Sequence, residues 1–316
     1  MSEEKKSIAT REAYGKALAA LAAADPKIVV LDADLSKSTK TAEFQAVAPE
    51  RFFNAGIAEQ NMLGVAAGLA AAGKMPFASS FAVFATGRAF EQIRNSIAYP
   101  RLNVKIAATH AGVTVGEDGG SHQSVADLAV MRALPNMTVL CPADGPSAAW
   151  AVRQAAAYDG PVYIRLGRLA TPQLYDNTDQ LKWGKGSLLR PGKDIVFFCC
   201  GMTVAICLEA AELLKNEGVA AAVADIHTLK PLDGKFISEL ATRCGAALTV
   251  EEHSIIGGLG SAVAEVLAEY CDKIAFSRLG INDEFGQSGS PQALLKHYGL
   301  TAENIANNAK RILARK

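Results

Sequence analysis

Residues 51–84 read RFFNAGIAEQNMLGVAAGLAAAGKMPFASSFAVF. The run of small and apolar residues after Ala58 predicts a helix over 58–73, and the apolar run near 76–80 predicts a short buried strand. One acid, Glu59, stands at the start of that helix. Two aromatics, Phe81 and Phe84, follow the strand where the next helix begins. A carboxyl group beside aromatic faces can hold a flat, nitrogen-bearing ring. Sheltered there, its charged form loses hydration, and it can share a proton with a ring nitrogen near neutral pH. On position alone Glu59 also reads as a solvated first-turn acid favoured by the helix dipole, and the two phenylalanines as ordinary core residues.

The alternation extends in both directions. Upstream, 8–24 reads as a helix with Thr10 as its cap, and 27–31 as a buried strand that ends in the polar run DADLS, residues 32–36. Downstream come helix 86–98, strand 103–109, helix 123–133, strand 137–140, helix 146–158 and strand 161–165. Such a rhythm predicts a mainly parallel sheet with helices on both faces. Acids and hydroxyls at the C-terminal ends of its strands then point into one crevice. The expected fold class is α/β in two domains, the first covering 1–170. Residues 171–193, with Pro172, Pro191 and few apolars, break the rhythm and read as a linker. A smaller α/β unit follows over 194–316. Its strands are expected near 194–199, 220–225, 246–250 and 273–278, and its helices near 203–216, 233–243 and 258–270. Two further helices close the chain near 291–298 and 301–315.

Composition bounds the function. The 316 residues are 50% hydrophobic and 20% charged, enough for two cores. Lysine plus arginine equals aspartate plus glutamate, 32 each, so no electrostatic argument for nucleic acid or a membrane surface arises. None of the cysteines forms a Cys-x-x-Cys pair, and they read as small buried hydrophobes in a reduced compartment. The polar start, MSEEKK, lacks the apolar core of a secretion signal, and no apolar run is long enough to span a bilayer. A cytoplasmic protein is the expectation.

The second informative stretch is THAGVTVGEDGGSHQ, residues 109–123, placed between a strand and a helix. It offers His110, Glu117, Asp118 and His122 to the crevice, and its four glycines permit tight backbone turns. Two histidines and two acids admit a metal site, but the spacing from His110 to His122 fits no compact ligand motif. A surface loop with incidental polar residues is the other plain reading.

Segments 55–62, 79–84 and 109–123, in this order and at this spacing, resemble the pyrimidine-binding domain of transketolases, and the likeness continues to the C-terminus. It covers nearly the whole chain but only the second half of a full-length transketolase. The resemblance implies thiamine diphosphate as cofactor and transfer of a two-carbon ketol unit between sugar phosphates. Glu59 would contact the ring nitrogen of the aminopyrimidine, Phe81 and Phe84 would flank that ring, and Asp34 would lie close to it. Asp118 would read the hydroxyl next to the donor carbonyl, and His122 would move protons near the reacting hydroxyls. Arg11, Ser38, His110 and Arg168 match positions that grip the phosphate of the sugar. A guanidinium can offer phosphate two donors, and Ser and His one each.

The segment GIAEQNM, residues 56–62, departs from the many transketolases that carry Arg before the Glu and Phe after it. It is also similar to 1-deoxyxylulose-5-phosphate synthase and, in Ile-Ala-Glu, to the β subunit of 2-oxoacid dehydrogenases. These enzymes, and a non-catalytic scaffold subunit, stand as alternatives. The Gly-Asp-Gly that opens the diphosphate and metal site of such enzymes does not occur here. No metal ligand is assigned to this chain. Mg2+ or another divalent cation is expected on a separate N-terminal subunit, as in split, two-chain transketolases. The resemblance thus implies an α2β2 heterotetramer, with this chain self-associating through both domains and inactive alone. The loop GGLGS, residues 257–261, could hold an anion at a helix start or make a tight strand-to-helix turn.

Overall fold

The computed structural model describes residues 6–316, so all but Lys6 of the polar N-terminal stretch lies outside the described residues. In chain order the strands are β1 (Ser7–Ala9), β2 (Ile28–Asp32), β3 (Phe52–Asn54), β4 (Met75–Ser79), β5 (Lys105–Ala108), β6 (Thr138–Leu140), β7 (Val162–Arg165), β8 (Ala170–Pro172), β9 (Ser187–Arg190), β10 (Ile195–Cys199), β11 (Ala221–Asp225), β12 (Thr228–Lys230), β13 (Ala246–Ser254) and β14 (Ala275–Ile281). A seven-stranded sheet runs β12-β6-β7-β5-β4-β2-β3. Its pairings are parallel except where β12 joins β6.

Successive residues of a strand face opposite sides of the sheet, and here both sides are apolar. Ile28, Val30 and Phe77 pack into one core with Tyr14 and Leu18 of helix Thr10–Ala24 and with helix Gly145–Ala157. Val29, Leu31 and Ala78 pack into the other with Met62, Leu63 and Ala66 of helix Glu59–Ala71. The parallel register sets Asp32 beside both Asn54 and Ser79, and Ala108 beside Arg165. The loops after β2, β3, β4, β5 and β7 therefore leave one edge of the sheet together, where open α/β sheets place their ligands.

The C-terminal unit is a five-stranded sheet in the order β14-β13-β10-β11-β9, parallel except for β9. Part of the expected linker is built into sheets. β8 pairs antiparallel with β1, and β9 pairs antiparallel with β11. Pro172 is tolerated because it ends a short edge strand, where a missing N–H costs no ladder bond.

Three local expectations are corrected. Thr10 does not cap its helix: it is the first helical residue, and its hydroxyl accepts the Gly167 N–H at 2.8 Å. The expected helix 86–98 is two π-helical stretches, Phe84–Arg88 and Gln92–Ala98. Helix 123–133 shortens to Asp127–Ala133, because Ser124 is held extended in bridges to Ala111 and Gly112. Among the described residues no helix is long and apolar enough to cross a membrane. The cysteines are free, and all but the partly covered Cys271 are buried.

Candidate active site

Glu59 is the first residue of its helix and only 3% exposed. The Ser80 hydroxyl donates to its Oε1 at 3.2 Å, and Arg88 Nη1 lies 3.3 Å from its Oε2. Both partners come from the segment after β4, which the sheet register sets beside the loop after β2. The Arg88 guanidinium also lies over the Phe84 ring, 4.1 Å from its centroid. Sequence reasoning missed Arg88. Its one signal was the spacing of four residues from Phe84, which puts a cation and an aromatic on one helical face.

A cleft of about 260 Å³ opens between Asp34, Ile57, Glu59, Phe84, Arg88 and His122. Pockets that enclose a whole ligand hold roughly 300–1,000 Å³, so this one suits one end of a longer molecule. Its donor set, a buried carboxylate beside an aromatic face, fits a flat heterocycle with a ring nitrogen. Asp34 reaches the cleft from a left-handed turn, φ 64°, and exchanges two hydrogen bonds with Asn54: its N–H donates to Oδ1, and Nδ2 donates to its carboxylate. Behind it the fully buried Asp32 accepts from Leu35 N–H, Thr39 Oγ1 and Thr41 Oγ1 at 2.6, 2.7 and 2.8 Å, which fixes the turn. Burial pushes the Asp32 carboxyl above its usual range, against the pull of these donors.

The two phenylalanines expected to flank a ring differ in their neighbours within this chain. Phe81 and Phe84 stack on each other with centroids 5.7 Å apart, but Phe81 also stacks on the His110 imidazole at 3.7 Å. Phe84 is the one that borders the cleft, and His122 meets it edge-on at 5.3 Å.

A second group gathers cations beside the cleft. Arg11 Nη1 donates to the carbonyl of Ser38 at 2.8 Å and lies 3.3 Å from His110 Nε2. Ser38 is thus joined through its backbone rather than its hydroxyl. A guanidinium only donates, so His110 Nε2 accepts and its Nδ1–H donates to Thr109 Oγ1 at 2.8 Å. Burial, with Arg11, Arg168 and His122 adding to it, drives the His110 pKa down to about 3, and the ring is neutral. Burial also lowers Arg11 from its ordinary value. Arg168 donates to the Val115 carbonyl and faces Glu117 at 3.6 Å and Asp118 at 4.0 Å. The structure therefore brings Arg11, Ser38, His110 and Arg168 together, and sets Asp118 against Arg168.

Among the described residues no group of three or more His, Cys, Asp or Glu side chains could hold a metal ion. The GGLGS loop does stand at a helix start, but the chain's own Glu251 takes the place of an anion, accepting Leu259 and Gly260 N–H at 2.7 Å each.

Comparison with known proteins follows the same outline. Residues 6–173 match the family model for the transketolase pyrimidine binding domain, and residues 184–305 that for the transketolase C-terminal domain. A chain of Methanocaldococcus jannaschii that carries the provisional name transketolase C-terminal section is 51% identical over 96% of this chain and 95% of its own length. The 6-deoxy-6-sulfo-D-fructose transketolase subunit of a Clostridium species is 42% identical, over 97% of this chain and 95% of its own. Human transketolase is 39% identical over 98% of this chain but 49% of its own length. Among solved structures, a split-gene transketolase described as an inactive β4 tetramer superposes with a TM-score of 0.90 at 56% identity, over 97% of this chain and 99% of that one.

Proposed function

The chain belongs to the transketolase family as a C-terminal section, and from that premise we propose that it is the pyrimidine-side subunit of a two-chain transketolase, moving a two-carbon ketol unit from a ketose phosphate to an aldose phosphate. The observation that carries this reading is the buried Glu59 carboxylate opening into a cleft beside Phe84. Family membership implies thiamine diphosphate, which when bound supplies the electron sink for carbon–carbon cleavage.

This chain's residues would hold and orient the aminopyrimidine end. Glu59 shares a proton with the ring nitrogen, and the Ser80 hydroxyl fixes the carboxylate. Phe84 offers its face once Arg88 turns away, stacking worth about 1 kcal/mol beyond area burial. Phe81 acts from behind, by supporting Phe84 and His110. Asp34 borders the ring. His122, at the mouth of the cleft, carries protons to and from the donor hydroxyls. Asp118 reads the hydroxyl beside the carbonyl, and Arg11, Ser38, His110 and Arg168 receive the sugar phosphate, with Arg168 exchanging its acidic neighbours for phosphate oxygens.

The diphosphate and its Mg2+, or another divalent cation, would be held by an N-terminal partner chain in a heterotetramer. The test is to mix this chain with that partner, thiamine diphosphate and magnesium. Xylulose 5-phosphate cleavage is expected, and only with both chains present. Pyruvate decarboxylation instead would move the chain to the synthases or dehydrogenases, and a correctly assembled but inert complex would make it a scaffold. A sulfonate offers the same tetrahedral oxygens as a phosphate, so 6-deoxy-6-sulfo-D-fructose belongs in the same assay.

A further inference from the structure

The four glycines of the loop 109–123 share a feature that turn geometry alone does not require: each lies against the C-terminal domain. A Cβ on Gly112 would strike the Glu252 carboxylate, and one on Gly120 the Gly286 carbonyl. One on Gly116 would come 3.3 Å from Pro291, and one on Gly119 3.5 Å from Ser288. Hydrogen bonds follow the same seam. Glu252 Oε1 accepts Thr114 N–H at 2.6 Å. Ser288 Oγ donates to the Glu117 carbonyl at 2.7 Å. Gln123 Nε2 donates to the Gln287 carbonyl at 2.9 Å while also spanning Val113 and Gly116 of its own loop.

The far side of the seam is itself anchored. Tyr298 OH donates to the Phe285 carbonyl at 3.0 Å, and the Ser290 hydroxyl caps the helix Pro291–His297. Glu252 sits on β13, and its carbonyl accepts from Arg165 Nη2 at 2.9 Å. On the same loop, His110 stacks on Phe81, Asp118 lies 4.0 Å from Arg168, and His122 borders the cleft beside Phe84.

We propose that the C-terminal domain is a clamp on this loop, with Glu252 and Ser288 as positioning residues that set where His110, Asp118 and His122 stand. This rests on the proposed function only for what those three residues do; the clamp itself is a statement about the loop. A loop held at Thr114, Glu117 and Gln123 has lost its own freedom before substrate arrives, which lowers the cost of binding.

The test compares the full chain with Glu252→Ala, Glu252→Gln and Ser288→Ala. Amide hydrogen exchange over 110–123 is expected to rise on the order of tenfold in Glu252→Ala and less in Ser288→Ala, with β2, β4 and β5 unchanged. Glu252→Gln keeps an acceptor for Thr114 N–H and should restore protection. In the complex with the partner chain, KM for the ketose phosphate should rise about tenfold in Glu252→Ala with thiamine diphosphate affinity unaltered. Unchanged exchange in the loop, or exchange that rises equally across the central strands, overturns the clamp. Exchange is read without turnover, so a failure of the proposed function would show separately, as an inactive wild-type complex.

Discussion

Arg88 lies 3.3 Å from the Glu59 carboxylate and 4.1 Å from the centre of the Phe84 ring. One guanidinium thus covers both surfaces that a pyrimidine would use, the acid and the aromatic face. Its side chain is 52% exposed and stands at the end of a π-helical stretch, with solvent to turn into. In the proposed enzyme the cofactor displaces it. Arg88→Ala is therefore expected to tighten thiamine diphosphate binding to the assembled complex several-fold, measured by fluorescence titration. Thermal stability should fall only modestly, because Arg88 is itself half exposed and the Ser80 hydroxyl still donates to the buried Glu59 carboxylate. Weaker cofactor binding in the variant would show that Arg88 holds the cofactor instead of yielding to it.

Arg11 and Arg168 both act on His110, with Glu12 beside Arg11 and Glu117 and Asp118 beside Arg168 as the nearby carboxylates. In the proposed enzyme, loss of either guanidinium would remove charge-assisted hydrogen bonds to the sugar phosphate, each worth about 1.5–3 kcal/mol. Steady-state kinetics of Arg11→Ala and Arg168→Ala should show KM for a ketose phosphate raised roughly ten- to a hundredfold. A ketose without the phosphate should be handled as by the wild type. Equal losses on both substrates would place these residues elsewhere in the chemistry.

His110 and His227 supply a pH dependence with a definite sign. Burial depresses both, His110 to about 3 with Arg11, Arg168 and His122 assisting, and His227 to about 4, against an ordinary value of 6.5. Between those values the unfolded chain binds protons that the folded chain refuses, so stability falls as pH drops below about 6.5 and the loss is complete near 3. Denaturant unfolding at about pH 7 and about pH 5 should show the decline, and the His110 ring resonances should stay flat between them. A His110 titration near its ordinary value would contradict the buried, neutral assignment.

Asp127 is the buried hub beneath the loop. Its Oδ2 accepts Arg165 Nε and Tyr163 OH at 2.8 Å each, and its Oδ1 accepts Ser124 Oγ at 3.1 Å. Burial alone would raise its pKa, but Arg165 above all, with His253 and these hydrogen bonds, holds it below the usual carboxylate range. Asp127→Ala strands a buried guanidinium and should cost about 3–5 kcal/mol in denaturant unfolding. A loss under about 1 kcal/mol would mean that Arg165 is satisfied by its remaining partners.

The strand-helix rhythm was legible because each central strand is apolar on both faces and each helix between them carries its own apolar stripe. The role of Glu59 was carried by family likeness, since position alone also suits a solvated first-turn acid favoured by the helix dipole. β9 was hidden, since Ser187–Arg190 is a short edge strand whose partner, β11, lies far along the chain. The grouping of Arg11 with His110 was carried by family likeness alone, because nothing local joins residues so distant in sequence. The backbone contact of Ser38, whose carbonyl accepts from Arg11, was likewise invisible in the sequence. The loop glycines were read as turn formers. Three do have positive φ, but their packing against residues 252 and 286–291 depends on how the two domains meet, which no local pattern encodes.

The central claim concerns one proton shared between Glu59 and the cofactor ring, and deuterium exchange at the acidic thiazolium carbon of bound thiamine diphosphate reads it most directly. In the complex with the partner chain, the wild type should exchange that hydrogen rapidly. Glu59→Gln, with cofactor bound to the same extent, should slow it roughly a hundredfold or more. Equal exchange rates in the two complexes would contradict the account.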